Sequence, residues 1–210
     1  MTYSKKDLDD PQNKKAYVQH GEWCEGEFLK GMGARSILKV RRNPEKDKNK
    51  YAIDFLIDGW GPCDLKTQNK PFFTARYAYG IKPDRAISFN VKDLIHYIPH
   101  LERGVDVGIL FWVEWKTLVH EKYGAVNYRW GVYFIRFSEI KAIFEERLCK
   151  IHKYQKRVEN NPTVFSLEHH MTIEGNAEDS IGLSLDWMTP LLHSHDDPWF
   201  GDKPLYSILT

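Results

Sequence analysis

The 210 residues are 42% apolar and 14% aromatic, which suits a packed domain and excludes a disordered chain. The net charge of +1 hides an asymmetry: residues 158–210 hold nine acidic residues and a single basic one, Lys203, so they are strongly acidic and residues 1–157 strongly basic. No apolar run reaches membrane-spanning length, the start MTYSKKDLDDPQNKK has no signal-type apolar stretch, and Cys24, Cys63 and Cys149 match neither a disulfide framework nor a zinc site, so a cytoplasmic setting is expected.

The first expected element is a helix over Ala16–Gly33, with Val18, Glu25 and Met32 on one stripe and Gly31 and Gly33 suited to its end. A short strand over Ser36–Val40 then runs into Arg41 and Arg42, followed by a charged loop, Asn43–Lys50. Tyr51–Gln68 reads as two strands around the turn Asp58-Gly59-Trp60-Gly61-Pro62. The aromatic stretch Phe72–Tyr79 has no assignable form, and Val91–Ile98 is expected as a short helix stopped by Pro99. Val105–Trp115 and Tyr128–Phe137 are apolar enough for paired, buried strands. Ser138 to about Val158 suits a charged amphipathic helix. This order predicts an α/β fold with a mixed sheet flanked by helices. The expected division is an α/β domain over 1–157 and an acidic C-terminal extension, 158–210, packed on it.

The hairpin carries the chemistry. Side chains alternate along a strand, so Asp54 lies opposite in direction to Ile53 and Phe55, while Asp64, Lys66 and Gln68 share one face. A turn centred on Gly59 brings Asp54 opposite Asp64, with Cβ atoms roughly 4.5–5.5 Å apart, where like charges repel. A hard divalent cation would relieve that repulsion. Lys66 is placed to orient an attacking water or to stabilise charge on a phosphoryl group, with Gln68 supporting it. A third carboxylate is expected from the first helix: Glu25 lies on its apolar stripe, with Glu22 one turn earlier as the alternative, whereas Glu27 points away.

Glu25, Asp54 and Asp64-Leu65-Lys66 resemble the pattern of the PD-(D/E)XK nuclease superfamily, the restriction-endonuclease-like fold. Over roughly Gly21–Trp115 the element order is also similar. The resemblance implies magnesium held by Glu25, Asp54 and Asp64, with manganese as a substitute. It implies metal-dependent endonuclease action on DNA, in restriction, repair, recombination or a mobile element, with Lys66 assisting the nucleophilic water. Cutting both strands takes two sites, which suggests a homodimer. Two departures stand out: Ile53 replaces the proline before the first aspartate, and Asp64 replaces the commoner glutamate. A rival set, Asp106, Glu114 and Lys116, fails on geometry, because an uninterrupted strand would hold Asp106 and Glu114 about 26 Å apart.

Arg41, Arg42, Lys46, Lys48 and Lys50, and further on Arg76, Lys82 and Arg85, are the expected phosphate contacts. Other readings stand beside these. The hairpin residues can be an exposed face with a surface ion pair, and the basic residues ordinary solvated loops. His193-Ser194-His195-Asp196-Asp197 reads as a polar loop, and His169-His170 have no identifiable partners. A nuclease-like protein that binds nucleic acid or a protein without cleaving it is the alternative function. An unrelated α/β enzyme would show itself by a deep pocket away from the hairpin.

Overall fold

The computed structural model describes residues 14–35, 38–49, 51–115, 118–146, 148–152, 157–158, 161–165 and 179–193. Lys50, Lys116, His169, His170 and residues 194–197 lie outside them. The chain is α/β: a mixed sheet flanked by helices. No helix among the described residues is long and apolar enough to cross a membrane.

Helix α1 spans Lys14–Arg35, running past the glycines expected to end it. The next elements are β1 (Val40–Arg42), a 3-10 turn (Pro44–Asp47), β2 (Phe55–Ile57) and β3 (Gly61–Gln68). A one-turn helix, α2 (Ala75–Ala78), β4 (Ala86–Asn90) and α3 (Val91–Glu102) lead to the central strand β5 (Gly108–Glu114). After it come the small hairpin β6 (Val119–His120) and β7 (Gly124–Ala125), then β8 (Trp130–Arg136) and α4 (Phe137–Glu145). The remaining strands are β9 (Ile151–His152), β10 (Arg157–Val158), β11 (Asn161–Phe165), β12 (Ser180–Ser184) and β13 (Thr189–His193).

The main sheet runs β1-β2-β3-β5-β8-β13, with β3 and β5 parallel and the other neighbours antiparallel. Strand β5 is covered on both faces, as its unbroken apolar sequence requires. Ile109, Phe111 and Val113 join a core under α3 and α4, and Leu110 and Trp112 join a second core under α1. Gly108 opens that strand because a Cβ there would sit 2.6 Å from the Phe134 ring and 2.7 Å from Cys63 Sγ. A smaller sheet, β4-β12-β9, closes the α3 side.

Four expectations change in the structure. The first hairpin strand is short, because Tyr51–Asp54 is turn and bend, and Ile53 joins the core under α3 rather than that of Phe55 and Ile57. Helix α3 continues through Pro99 to Glu102. The proline removes one backbone hydrogen bond, but Ile98 and Leu101 on the last turns pack against the core. Helix α4 stops at Glu145 rather than near Val158. Past it, Ile151 and His152 pair with Ile181 and Ser180 of β12, and sheet pairing prevails over local helix propensity. Lastly, the segment expected as a packed extension supplies a strand to each of the two larger sheets: β12 lies between β4 and β9, and β13 pairs with β8.

Candidate functional site

The β2–β3 turn has Trp60 N donating to Ile57 O at 3.0 Å, with Gly59 at φ +76°, a conformation that suits glycine. The register that follows pairs Ile57 with Gly61, Leu56 with Pro62 and Phe55 with Cys63. One step further out, Asp54 meets Asp64. The two carboxylates lock the mouth of the hairpin: Asp54 N donates to Asp64 Oδ1 at 3.2 Å, and Leu65 N donates to Asp54 Oδ2 at 2.8 Å. Both side chains are buried. Cys63 and Leu65 point into the core under α1, so the acidic row faces α3.

Two lysines neutralise part of this charge. Lys66 Nζ lies 2.9 Å from Asp64 Oδ2 and 3.4 Å from Asp93 of α3. Lys46 Nζ bridges Asp54 Oδ1 and Glu25 Oε1, the latter at 3.3 Å. Asn43 explains how Lys46 arrives there. Its side chain caps the 3-10 turn by accepting from Glu45 N at 3.1 Å and donates to Ile53 O at 2.8 Å. Its backbone N donates to Asp54 O at 2.9 Å. The turn is thus tied to Asp54, and Lys46 reaches inward from it.

Tyr97 completes the constellation, its hydroxyl donating to Asp64 Oδ2 at 2.5 Å. Burial and the Asp64 charge push the Tyr97 phenol well above its ordinary range, so it remains a donor. Burial raises the Asp54 carboxyl to about 7, with the charges of Asp64 and Glu25 adding to the shift and the Lys46 hydrogen bond opposing it. Burial also pushes Asp64 upward, but Lys66 and the Tyr97 hydroxyl outweigh it and hold that carboxyl below its ordinary value. Burial works against the charge on each lysine, but its carboxylate neighbours prevail, and both lysines stay protonated.

Glu25, Asp54, Asp64 and Lys66 are therefore gathered at one place, and Glu22 is exposed. Glu27 pairs with Lys30 at 3.0 Å. Gln68, expected to support Lys66, does something else. Its amide donates to Lys70 O and Ala86 O and accepts from Ser88 N, stitching β3 to β4. Lys46, expected at phosphate, belongs to the acidic site instead. Arg41 and Arg42 sit exposed on β1 at the edge of the sheet, Arg42 pairing with Asp47, and Lys48 is exposed close by. Arg85 is tied to Asp186 at 2.7 Å, whereas Arg76 and Lys82 line a separate cleft. Asp106 accepts from Ser138 N and Oγ at the start of α4, which accounts for that rival carboxylate structurally.

Sequence reasoning missed Asp93, Tyr97 and Asn43. Asp93 and Tyr97 are four residues apart and so share a helix face, and that face also carries the buried Leu94. A carboxylate and a phenol beside a core residue were the available signal. Asn43 before Pro44 was a cap signal of the ordinary kind.

The donor set is all oxygen, which suits a hard cation. Glu25 and Asp54 already converge on one positive centre, the Lys46 ammonium. Among the described residues, no group of three or more His, Cys, Asp or Glu side chains is arranged to hold a metal ion. Compared with protein-family models, curated proteins and solved structures, the chain matches none.

Proposed function

We propose that the chain is a metal-dependent DNA endonuclease with a restriction-endonuclease-like core, of the restriction, repair, recombination or mobile-element type. The observation that carries this reading is the convergence of Glu25 from α1, Asp54 and Asp64 from the hairpin, and Lys66 two residues beyond Asp64. Charge supports it. Four carboxylates, Glu25, Asp54, Asp64 and Asp93, face two ammonium groups when all are ionised. The excess matches one divalent cation.

Glu25, Asp54 and Asp64 would hold magnesium, or manganese in its place, once the Lys46 ammonium that joins Glu25 to Asp54 is displaced. A bound divalent ion supplies Lewis acidity and a readily deprotonated water. The chain's own groups do the rest. Asp64 and Asp93 hold the Lys66 ammonium between them. Lys66 stabilises the negative charge that builds on the phosphoryl oxygens. Tyr97 fixes Asp64 through its hydroxyl and keeps Lys66 company through its ring, whose centre is 5.5 Å from Nζ. DNA is the proposed partner, approached along the exposed Arg41, Arg42 and Lys48 edge. Two copies would serve two strands.

The test is cleavage of plasmid DNA with magnesium or manganese. Asp54→Asn keeps an acceptor for Leu65 N, whereas Lys66→Ala leaves the buried Asp64 without its ammonium, so circular dichroism first establishes that each variant is folded. Each should lower cleavage by about 10²–10³-fold or more. Undiminished cutting by both variants overturns the assignment.

A non-cleaving protein of the same fold, binding nucleic acid or a protein, is favoured by one observation: the Lys46 ammonium already satisfies Glu25 and Asp54. Titration with manganese separates the readings. A catalytic site gains thermal stability on binding the ion, and a site permanently filled by Lys46 does not.

A further inference from the structure

We propose that a second site, the cleft between α2, the loop before β4 and the β6–β7 hairpin, binds unpaired nucleotides of a nucleic-acid strand. The inference rests on the reading of this chain as one that acts on nucleic acid, and it names the form held there: a single-stranded segment.

The cleft has a volume of about 510 Å³ and is lined by Arg76, Tyr77, Lys82, Asp84, Lys122 and Tyr123, among others. Three cations thus face one carboxylate. Arg76, Lys82 and Lys122 form no ion pair among the described residues. Behind Asp84 lies a further positive charge. Arg129 is only 2% exposed; its Nε donates to Asp84 O at 2.7 Å and its Nη1 to Tyr133 Oη at 3.3 Å. Its Nη2 has no hydrogen-bond partner among the described residues. Arg129 does not line the cleft, so it adds positive potential from behind Asp84 rather than a contact.

The rings say which anion. Tyr77 is 78% exposed and Tyr123 36% exposed, with ring centres 6.4 Å apart and planes inclined at 50°. Lys122 lies 5.5 Å from the Tyr123 ring centre, and His120 packs 4.8 Å from the same ring. Large rings presented to water beside unpaired cations suit bases that stack and phosphates that pair with lysine and arginine. A duplex hides its base faces, so only unpaired bases can use the tyrosines.

The position fits one strand serving both sites. Asp64, Lys66 and Gln68 form a row along β3, about 13 Å long at the rise of an extended strand. Gln68 at its end is bonded to Ala86 and Ser88 of β4, and Lys82 and Asp84 immediately precede that strand. The cleft therefore opens beyond the far end of the acidic row.

Fluorescence anisotropy of the full chain in EDTA, with a labelled twelve-residue oligothymidylate and a blunt duplex of the same length, tests the proposal. The single strand should bind more tightly than the duplex. Tyr77→Ala should weaken it by about tenfold, and Tyr77→Phe should retain it. Lys122→Ala should flatten the slope of log affinity against log salt by about 0.7. Equal binding of duplex and single strand, no binding of the oligothymidylate, or wild-type affinity in a Tyr77→Ala/Tyr123→Ala double variant overturns the inference. Because EDTA removes cleavage, the two readings fail separately. Cleft-dependent binding by a chain that never cuts ends only the nuclease reading, and cutting without cleft-dependent binding ends only this one.

Discussion

Asp54 is a residue whose charge state near neutral pH depends on the fold. Burial, reinforced by Asp64 and Glu25, raises its pKa to about 7. A carboxyl raised in the folded state binds its proton more tightly there than in the unfolded chain. Its contribution to stability is therefore full at acidic pH and is lost as pH rises toward and through about 7. Asp54→Asn has no such proton to lose. The melting temperature of the wild type, measured against that variant in EDTA, should rise as pH is lowered from 8 to 5. A difference independent of pH would mean that Asp54 titrates as an ordinary carboxylate. The residue's place opposite Asp64 was legible in the sequence, because strand parity and the Gly59 turn determine it. Its ammonium partner was not legible, because Lys46 reads as one more cation in a basic loop until Asn43 ties that loop to Ile53 and Asp54.

At the level of elements, the Pro44–Asp47 turn acts as a bracket that lowers a cation onto the hairpin. Lys46 is largely buried, as are Glu25 and Asp54 around it. Removing one partner of a buried ion pair costs roughly 3–5 kcal/mol, because the remaining charge is left uncompensated. Lys46→Met should therefore lower the melting temperature in EDTA, and magnesium should restore more stability to this variant than to the wild type. Calorimetry in the two buffers reads this directly, and a variant as stable as the wild type in EDTA would show that the ammonium does not hold the carboxylates. Elements built on local pattern followed expectation. The existence of the hairpin, β5 and β8 was readable from apolar runs and turn chemistry; α1 is present as expected, but it buries Cys24 and Phe28 and leaves Val18 of the expected stripe exposed. Those decided by distant partners did not follow: α4 gives way to β9 only because β12 is there to pair with it.

For the whole molecule, the acidic C-terminal quarter is where sequence and structure diverge most. Ile181, Leu183 and Leu185 are fully or nearly buried in the core under α3 and α4, and the Ser180 hydroxyl lies 2.7 Å from that of Tyr79. Burying each such aliphatic side chain contributes about 1.5–3 kcal/mol, and a domain's entire stability is about 5–15 kcal/mol. A chain ending at Glu178 should lose cooperative unfolding by circular dichroism and enter the insoluble fraction. A soluble, cooperatively melting product would mean that residues 179–210 are a detachable extension. By itself the sequence determined what depends on near neighbours: the mixed α/β character, the hairpin, and one face shared by Asp64, Lys66 and Gln68. Only the tertiary structure decided what these groups meet: Tyr97 for Asp64, Asp93 for Lys66 and Lys46 for Asp54, with Gln68 drawn away to β4. The reason is physical. Alternation and turns act within a few residues, whereas Lys46 lies 8 positions from Asp54 and Tyr97 33 positions from Asp64, and packing selects both.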